Sequence, residues 1–193
     1  LIQYAGRESA PVALRQEAID ALSTWSRPSV TDRVDGRYRG EIKRDPAEVQ
    51  QKALEPFRKL LLQANASLRL SAVRALGRLE IKAAIPELTR SLGTDKHPAV
   101  RSEAMHALVR LKAANEQAFA SALQDSDKGV RIVALELLSQ SGLTADAMAK
   151  LLGDVIDTKT IEERQTALLT LGTIRSSQVA TTLGKLIGQM EQR

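Results

Sequence analysis

The sequence contains no cysteine and only two histidines, His97 and His106. The absence of cysteine excludes disulfides, thiolate nucleophiles, zinc–thiolate and iron–sulfur sites, and covalent haem attachment. Aromatic residues make up only 3% of the chain, which argues against an aromatic core or a platform for stacked bases. No stretch approaches the roughly 20 apolar residues that a membrane-spanning helix needs. The interior must therefore be built mainly from Ala, Leu, Val and Ile.

The charge balance is mildly basic, with 28 Lys and Arg against 23 Asp and Glu and a formal net charge of +5. This excess is compatible with an anionic partner but does not require one. The sequence begins at Leu1 without Met and without a charged-then-apolar leader. We therefore expect an excised domain, and the sequence itself does not indicate a cellular location.

The most informative pattern is a phrase that occurs five times: an Arg, an Ala three residues later, and an apolar residue, usually Leu, seven residues later. The phrase is centred on Arg15, Arg69, Arg101, Arg131 and Arg164, at steps of 54, 32, 30 and 33 residues. A period of 30 to 33 residues is typical of stacked helical repeats.

Each repeat reads as two helices. In the third repeat, apolar periodicity predicts a helix over 82–92, a stop at Gly93, a turn at 94–98 and a second helix with Pro98 in its first turn. Further predicted helices span 116–123, 130–139, 145–156, 161–174 and about 178–190. The predicted fold class is all-α, an α-α superhelix (solenoid) of about five helix pairs with an insertion of about 20 residues after the first. We predict a single domain, 1–193, with repeats at about 1–25, 46–80, 81–113, 114–142 and 143–175 and a terminal helix at 176–193.

The second repeat carries clear boundary signals. Asp45-Pro46-Ala47-Glu48 predicts a helix start, with Asp as the cap and Pro in the first turn. This helix should run to about Gln63, with a kink or break near Glu55 because Pro56 lies inside it. Asn65 begins a formal glycosylation sequon, but it is better interpreted as a helix cap.

The long first step reflects an insertion at 25–45, where helical periodicity is lost. Asp35-Gly36 predicts a tight turn or small hairpin. Basic residues are concentrated here (Arg27, Arg33, Arg37, Arg39, Lys43 and Arg44), together with Trp25 and Tyr38. Long loops of this kind are often functional. The alternative is an ordered insertion packed on neighbouring helices, with Trp25 and Tyr38 as anchors.

The repeated Arg residues stand in the first turn of each second helix, which is unfavourable for a cation because a helix N-terminus is already partly positive. Acids in the preceding turns can offset this, and each Arg can reach an acid of the neighbouring repeat. We therefore interpret these residues as a structural ladder rather than a catalytic set. Its members are Arg15, Arg69, Arg101, Arg131 and Arg164 with Asp95, Asp125 (or Asp127) and Asp157.

A second set of basic residues lies five and nine positions after two of the repeated Arg residues. Arg74, Arg78, His106 and Arg110 should share one stripe, away from the Ala/Leu seam. Such a patch can accept a carboxylate, a phosphate or an acidic protein surface. The alternative is an ordinary solvated helix face. With Trp25, Arg33, Arg37 and Tyr38 of the insertion, these are the candidate partner-binding residues.

The sequence shows no catalytic, metal-binding or cofactor-binding set. His97 precedes Pro98 in a turn, and His106 lacks partners with metal-ligand spacing on its helix. No Ser–His–acid set, paired-carboxylate signal or Gly-rich phosphate loop is present. We therefore expect neither an enzyme nor a cofactor in this segment.

The repeated phrase resembles HEAT repeats, particularly the short bacterial type that includes the PBS-lyase-like repeats. The resemblance covers 68–174 and, less fully, 12–25. It implies a right-handed solenoid of antiparallel helix pairs with a concave partner-binding surface. The motif is specific for the fold and not for the function.

A narrower resemblance concerns residues 25–39, Trp25 to Arg39. This segment is similar to an insertion in the HEAT portion of large exported planctomycete-type proteins, which join a dehydrogenase-like propeller to a c-type haem domain. The resemblance implies an exported or periplasmic parent protein. It carries over no catalytic residue, since no Cys-x-x-Cys-His motif occurs here.

The leading functional hypothesis is a non-catalytic scaffold that binds a protein partner or orders neighbouring domains of a larger exported redox-type protein. A second hypothesis is nucleic-acid binding on a basic concave face, as in HEAT-like DNA glycosylases. Scarce aromatics and mixed charge argue against it. A third is a lyase of the cofactor-handling HEAT-like group, which no residue set here supports.

Overall fold

The computed structural model describes residues 1–32, 34–158, 160–174, 179–181 and 183–184, without the side chains of 157 and 158. The described residues form helices joined by turns and loops, with one isolated antiparallel bridge between Thr31 and Tyr38. The helices are α1 (Ile2–Gly6), α2 (Val12–Ser23), α3 (Ala47–Leu61), α4 (Ala66–Arg78), α5 (Ile85–Thr94), α6 (Pro98–Arg110), α7 (Glu116–Leu123), α8 (Lys128–Leu138), α9 (Ala145–Thr158) and α10 (Ile161–Thr173). A single 3₁₀ turn, Lys82–Ala84, precedes α5.

The helices form two compact units, Leu1–Leu111 and Lys112–Arg193. In the first unit, α1 packs on α2, α3 on α4 and α5 on α6, while α2, α4 and α6 lie side by side. In the second unit, α7 packs on α8, α9 packs on α10, and α8 lies beside α10. Neighbouring helix pairs are the architecture of HEAT-like helical repeats, so the predicted fold class is confirmed. The repeat boundaries stay a prediction, and the predicted terminal helix at about 178–190 falls largely outside the described residues.

The repeated phrase supplies buried residues of the second helix of each pair, namely α2, α4, α6, α8 and α10. The residue three positions after each repeated Arg is always an Ala. All five of these residues are buried: Ala18, Ala72, Ala104, Ala134 and Ala167. The Leu seven positions after it is buried in every case: Leu22, Leu76, Leu108, Leu138 and Leu171. Burying a Leu side chain contributes about 1.5–3 kcal/mol. The small Ala side chains let neighbouring helices approach closely, so the phrase encodes both the packing and its spacing.

Side-chain caps begin several of the helices. Asn65 Oδ1 accepts from the backbone N–H groups of Ser67 and Leu68, which confirms its predicted role as the cap of α4. Asp127 caps α8 in the same way, and Thr160 and Glu163 form a reciprocal capping box at α10. Pro98 is the first residue of α6, as predicted. Each cap is typically worth about 1 kcal/mol.

Two predicted helix boundaries are wrong. The break predicted near Glu55 does not occur: α3 continues through Pro56, because Ala53, Phe57 and Leu60 are buried on both sides of the proline and this packing outweighs the lost backbone hydrogen bond. The alternative, a kink at this point, stays a prediction. Gly93 does not end α5; the helix continues to Thr94 and is followed by an extended Asp95. Gly93 is therefore an ordinary helical residue.

Two second helices, α4 and α6, end in the same backbone conformation. Glu80 and Lys112 directly follow the helix caps, each eleven residues after a repeated Arg, and both have a φ of 55°. A residue in this left-handed region after a helix satisfies the last carbonyl groups; at Glu80, for example, the N–H of Ile81 donates back to the carbonyl oxygen of Leu76. Neither helix end uses glycine, the residue that favours this conformation, whereas Gly142, in the loop after α8, has a φ of 73°.

Candidate functional site

The insertion closes on itself at its base. The backbone N–H of Arg44 donates to the carbonyl oxygen of Ser26 at 3.0 Å. The Arg44 guanidinium donates through Nη1 to the carbonyl oxygen of Trp25 at 3.0 Å and lies 4.3 Å from the centre of the Trp25 ring. A cation over an indole face at this distance is attracted by the ring quadrupole. The two ends of the insertion are therefore held together, and Arg44 is held in a defined position.

The middle of the insertion forms the predicted turn as a small hairpin. Arg39 N–H donates to the carbonyl oxygen of Val30 at 2.7 Å, and Gly36 adopts a positive φ of 71°. Asp32 accepts from the N–H groups of Val34 and Asp35, which lowers its pKa. These bonds order the described part of the hairpin.

The hairpin's charges are largely used within the hairpin. Arg39 lies 3.1 Å from Asp35 and 3.3 Å from Asp32, and Arg37 lies 3.7 Å from Asp35. Tyr38 is 72% exposed, so the interpretation of Tyr38 as a core anchor is wrong. Its partner in the bridge, Thr31, is also exposed, because the hairpin projects from the helices instead of packing on them. Arg33 lies outside the described residues.

A cleft of about 450 Å³ lies where the base of the insertion meets the ends of the second helices. Its lining is rich in cations and hydroxyl groups. The lining residues are Ser23, Thr24, Ser26, Arg27, Lys43, Arg44, Pro46, Gln50, Arg78, Leu79, Glu80 and Arg110. All of them belong to the first compact unit. The cleft therefore combines five cationic side chains with a single carboxylate.

Most of the cleft's cations are uncompensated by neighbouring acids. Among the residues that the structure describes, Arg27 and Arg110 have no carboxylate within 4.0 Å. Arg78 donates only a long bond, 3.4 Å, to Ser23 Oγ. Lys43 pairs with Glu41 at 3.7 Å, and both side chains are highly exposed. Pairs of that kind contribute at most about 1 kcal/mol, so the positive charge of the cleft remains available to a ligand.

The start of α3 borders the cleft through Pro46 and Gln50. Pro46, which has no N–H group, is the cap of α3, so the predicted cap at Asp45 is one residue too early. Asp45 nevertheless binds the helix start, because its Oδ1 accepts from the N–H of Ala47 at 2.9 Å. The side chain of Gln50 donates to the carbonyl oxygen of Leu79 at 2.7 Å and ties α3 to the end of α4. The side-chain donors of the cleft include the guanidinium groups and the hydroxyl groups of Ser23, Thr24 and Ser26.

The predicted basic stripe divides into two parts. Arg78 and Arg110 line the cleft. Arg74 instead donates to Glu103 Oε2 at 2.9 and 3.2 Å, and this bond, together with the nearby charge of Asp20, raises its pKa. His106 is exposed and does not line the cleft. The stripe is consequently positive at the end formed by Arg78 and Arg110, whereas the charge of Arg74 is neutralised by Glu103.

The ladder residues bind one repeat to the next within each unit. Arg69 donates through Nε to Asp95 Oδ2 at 2.7 Å and through Nη2 to Oδ1 at 2.9 Å. Its Nη1 donates to the carbonyl oxygens of Gln63 and Ala64 at 2.9 and 2.8 Å. Burial by itself would raise the pKa of Asp95, but the Arg69 guanidinium and the His97 N–H leave it lowered. The carbonyl groups and the carboxylate together offset the unfavourable position of the cation.

The second unit repeats this arrangement with a different acid. Arg131 donates to Glu163 at 2.5 and 3.3 Å, and its Nη1 donates to the carbonyl oxygens of Asp125 and Ser126. The Arg131 bond, with further bonds from Thr160, lowers the pKa of Glu163 to about 2. Sequence reasoning missed Glu163, although Thr160-Ile161-Glu162-Glu163 carries the capping-box pattern that could have identified it.

The remaining ladder residues have individual environments. Arg101 Nη1 donates to the carbonyl oxygen of Asp95 at 2.8 Å, six residues earlier, as Arg69 and Arg131 do to their own turns. Arg15 is buried, 4% exposed, and donates to the carbonyl oxygen of Ala5 at 2.8 Å. The N–H of Arg164 donates to the carbonyl oxygen of Thr160. The side chain of Asp157 lies outside the described part of the chain.

The cleft brings together residues that the sequence listed on separate surfaces. Arg78 and Arg110 were candidates from the stripe, while Arg27, Lys43 and Arg44 were counted only as basic residues of the insertion. Three further lining residues, Ser23, Ser26 and Gln50, carried no signal, since a lone Ser or Gln beside a helix end is common in any sequence. Of the insertion's own candidates, Trp25 supports Arg44, while Arg37 and Tyr38 lie on the hairpin.

The described residues show neither a metal site nor a membrane-spanning helix. Among the described residues, no group of three or more His, Asp or Glu side chains is placed to hold a metal ion. None of the described helices has the length and apolarity that a membrane crossing requires.

A search of curated proteins found no match. A family model of HEAT repeats matches residues 54–121, which begins within α3 and ends within α7, and this segment is therefore a HEAT-like repeat array.

Proposed function

We propose that this chain is a non-catalytic protein-interaction scaffold and that its partner binds in the basic cleft. HEAT repeats generally mediate protein interactions, and the matched segment includes α4 and α6, whose ends line the cleft. Repeat arrays present broad surfaces made from equivalent positions of successive helices. To bind one partner specifically, a repeat scaffold needs a feature that departs from its regular surface, and the insertion is such a feature.

The observation that carries the proposal is the meeting of the insertion with the ends of α2, α4 and α6. Arg27, Lys43 and Arg44 come from the insertion, and Arg78 and Arg110 come from the regular helices. Loops held on a rigid framework are the usual carriers of binding function. The clamp at Trp25 and Arg44 gives this loop such a framework.

Site-specific crosslinking tests the proposal. A photoreactive residue at Thr24, which is exposed and lines the cleft, should capture a discrete partner from an extract of the source cells. The same residue at Lys59, exposed on α3 and away from the cleft, should not. The capture at Thr24 should also be lost in the R78E/R110E variant. Equal capture at both positions, unaffected by the charge reversal, would contradict the proposal.

Nucleic-acid binding receives less support from the charge distribution. A duplex is bound by cations spread along its phosphate backbone. Here Arg74, in the middle of the stripe, is paired with Glu103, and the uncompensated charge is gathered at one end. A salt titration with duplex DNA separates the two functions: binding that falls steeply with salt and needs Arg78 and Arg110 would favour nucleic acid.

A narrower hypothesis concerns the origin of the chain. The resemblance of residues 25–39 to the HEAT portion of exported multidomain proteins would make the partner a neighbouring domain of the same polypeptide, in an exported or periplasmic setting. That resemblance is the support for this hypothesis. Sequencing of the reading frame tests it, since a propeller or a haem-attachment motif encoded in frame is expected.

A further inference from the structure

We infer that the basic cleft binds an extended acidic segment of a protein, through Asp and Glu carboxylates. This inference rests on the proposed scaffold function and names the chemistry of its partner. The cleft holds five cations, Arg27, Lys43, Arg44, Arg78 and Arg110, and one carboxylate, Glu80, a net charge of +4 in about 450 Å³. The whole chain carries a net charge of only +5, so all residues outside the cleft together sum to about +1.

Clustered cations repel one another unless an anion lies between them. The internal acids that neutralise arginines elsewhere in this unit, such as Asp95 for Arg69 and Glu103 for Arg74, have no counterpart at Arg27 or Arg110 among the described residues. The repulsion is relieved when a ligand supplies the missing negative charge. Electrostatic attraction of this kind also accelerates association.

The donors in the cleft favour carboxylates over a single phosphate group. Phosphate sites commonly use backbone N–H groups at a helix N-terminus. At the helix start that borders this cleft, Pro46 has no N–H, the Ala47 N–H is already bonded to Asp45, and the next two residues, Glu48 and Val49, do not line the cleft. What remains are separate guanidinium groups, each suited to a bidentate bond with a carboxylate. A cleft of about 450 Å³ is also much larger than one phosphate needs.

Part of the cleft is organised before any ligand binds. Arg44 is held by the Trp25 ring and carbonyl oxygen, and Gln50 is held by the Leu79 carbonyl oxygen. Groups already held in place lose less conformational entropy on binding. Arg27 and Arg110, which are exposed, can adjust to the spacing of acids along a peptide.

The inference is tested by fluorescence anisotropy with a labelled Glu-Gly repeat peptide and the full chain. A Gln-Gly peptide of equal length, inorganic phosphate and a duplex DNA serve as competing probes. R78E/R110E should weaken binding of the Glu-Gly peptide by about tenfold or more, since it removes and reverses two charge-assisted contacts. K59E/K82E is the matched control, because both lysines are exposed outside the cleft and the change in net charge is identical.

A third variant gives an effect in the opposite direction. Glu80 is the only acid of the cleft, so E80Q should strengthen peptide binding about two- to fivefold, the range expected for removing an exposed like charge. A misfolded protein would not bind more tightly. Affinity should fall with added salt in all variants.

Several outcomes would overturn the inference. Three of them concern the probes: equal binding of the Gln-Gly peptide, displacement of the Glu-Gly peptide by phosphate but not by acetate at equal ionic strength, and tighter binding of the duplex than of the Glu-Gly peptide. The fourth is equal binding of the Glu-Gly peptide by R78E/R110E and K59E/K82E. If the acidic peptide fails while the crosslink at Thr24 persists and still depends on Arg78 and Arg110, the ligand assignment is wrong and the scaffold proposal stands.

Discussion

Gly77 of α4 and Ala107 of α6 lie so close that a β-carbon on Gly77 would be 2.9 Å from the β-carbon of Ala107 and 3.0 Å from its α-carbon. These distances are shorter than real side-chain contacts allow. Gly77 is buried, and the α-carbon of Ala107 belongs to the backbone of a packed helix. The spacing of the second helices in the first unit therefore depends on the absence of a side chain at this position.

The first prediction is that Gly77→Ala destabilises the protein. Alanine gains about 1 kcal/mol in helix propensity, but overpacking a buried contact costs about 1–3 kcal/mol, and we expect a net loss of up to about 2 kcal/mol. Gly93→Ala is the matched control, since Gly93 is helical, exposed and has nothing within 4 Å of its would-be β-carbon. It should stabilise by up to about 1 kcal/mol. Urea unfolding measures both, and equal signs would refute the spacing argument.

The second prediction concerns the buried pair of Arg69 and Asp95, whose side chains are 13% and 8% exposed. Arg69→Ala should lower the free energy of unfolding by about 2–4 kcal/mol, because it leaves a nearly buried carboxylate without its partner. A double-mutant cycle with Asp95→Ala should give a coupling energy of about 1–3 kcal/mol. The exposed pair of Lys52 and Glu48 should give less than about 0.5 kcal/mol. Similar coupling in the two pairs would count against a structural role for the ladder.

The third prediction is a loss of stability in acid that depends on Glu163. Its pKa is lowered from 4.5 to about 2 in the folded protein, chiefly by the Arg131 hydrogen bond. A lowered acid pKa means that the stabilisation is complete above pH 4.5 and disappears as the pH falls to about 2. The full shift corresponds to at most about 3 kcal/mol, and allowing for solvent screening we expect about 1–2 kcal/mol.

Glu163→Gln tests this directly, because it removes the titrating group and nearly preserves its shape. The variant should be less stable at pH 7, and its unfolding free energy should change less between pH 5 and pH 2 than that of the parent. Glu162→Gln is the control, since Glu162 is exposed and pairs with Lys128 at the surface. An identical pH profile in the Glu163 variant would exclude the proposed linkage.

The fourth prediction uses the shared ending of the second helices. A non-glycine residue in the left-handed region costs about 1 kcal/mol, so Lys112→Gly should stabilise the protein by about 0.5–1 kcal/mol. Gly142→Ala, in the loop after α8 where the backbone φ is 73°, should destabilise by a similar amount. Thermal unfolding of the two variants reports both signs.

Features encoded locally could be predicted from the sequence. The repeated Arg, Ala and Leu positions predicted the second helices, and Asn65 and Pro98 predicted helix starts, because caps and periodicity depend on residues a few positions apart. The break at Pro56 failed because Phe57 and Leu60 pack against other helices, and that stabilisation is not local. The extension of α5 past Gly93 was missed for a different reason, since a glycine can occupy either a helix or its end.

The cleft lay beyond sequence reasoning for a different reason. Arg44 precedes α3 and Arg78 ends α4, and nothing near either of them in the sequence indicates that they share a cavity. Their meeting depends on how the insertion turns back at Trp25. The acid that pairs with Arg131 was missed because it comes from the first turn of α10 instead of the turn before it.

The closed base of the insertion makes the loop an exchangeable module. Since the backbone N–H of Arg44 bonds to the carbonyl oxygen of Ser26, a short turn could join these two positions without moving α2 or α3. Replacing residues 27–43 with a four-residue Gly-Ser turn should leave the melting temperature unchanged or raise the stability by about 1 kcal/mol through the shorter loop, while peptide binding is lost. Loops of other lengths and sequences could then be grafted between the same two anchors, so that the helical framework would serve as a host for new recognition specificities.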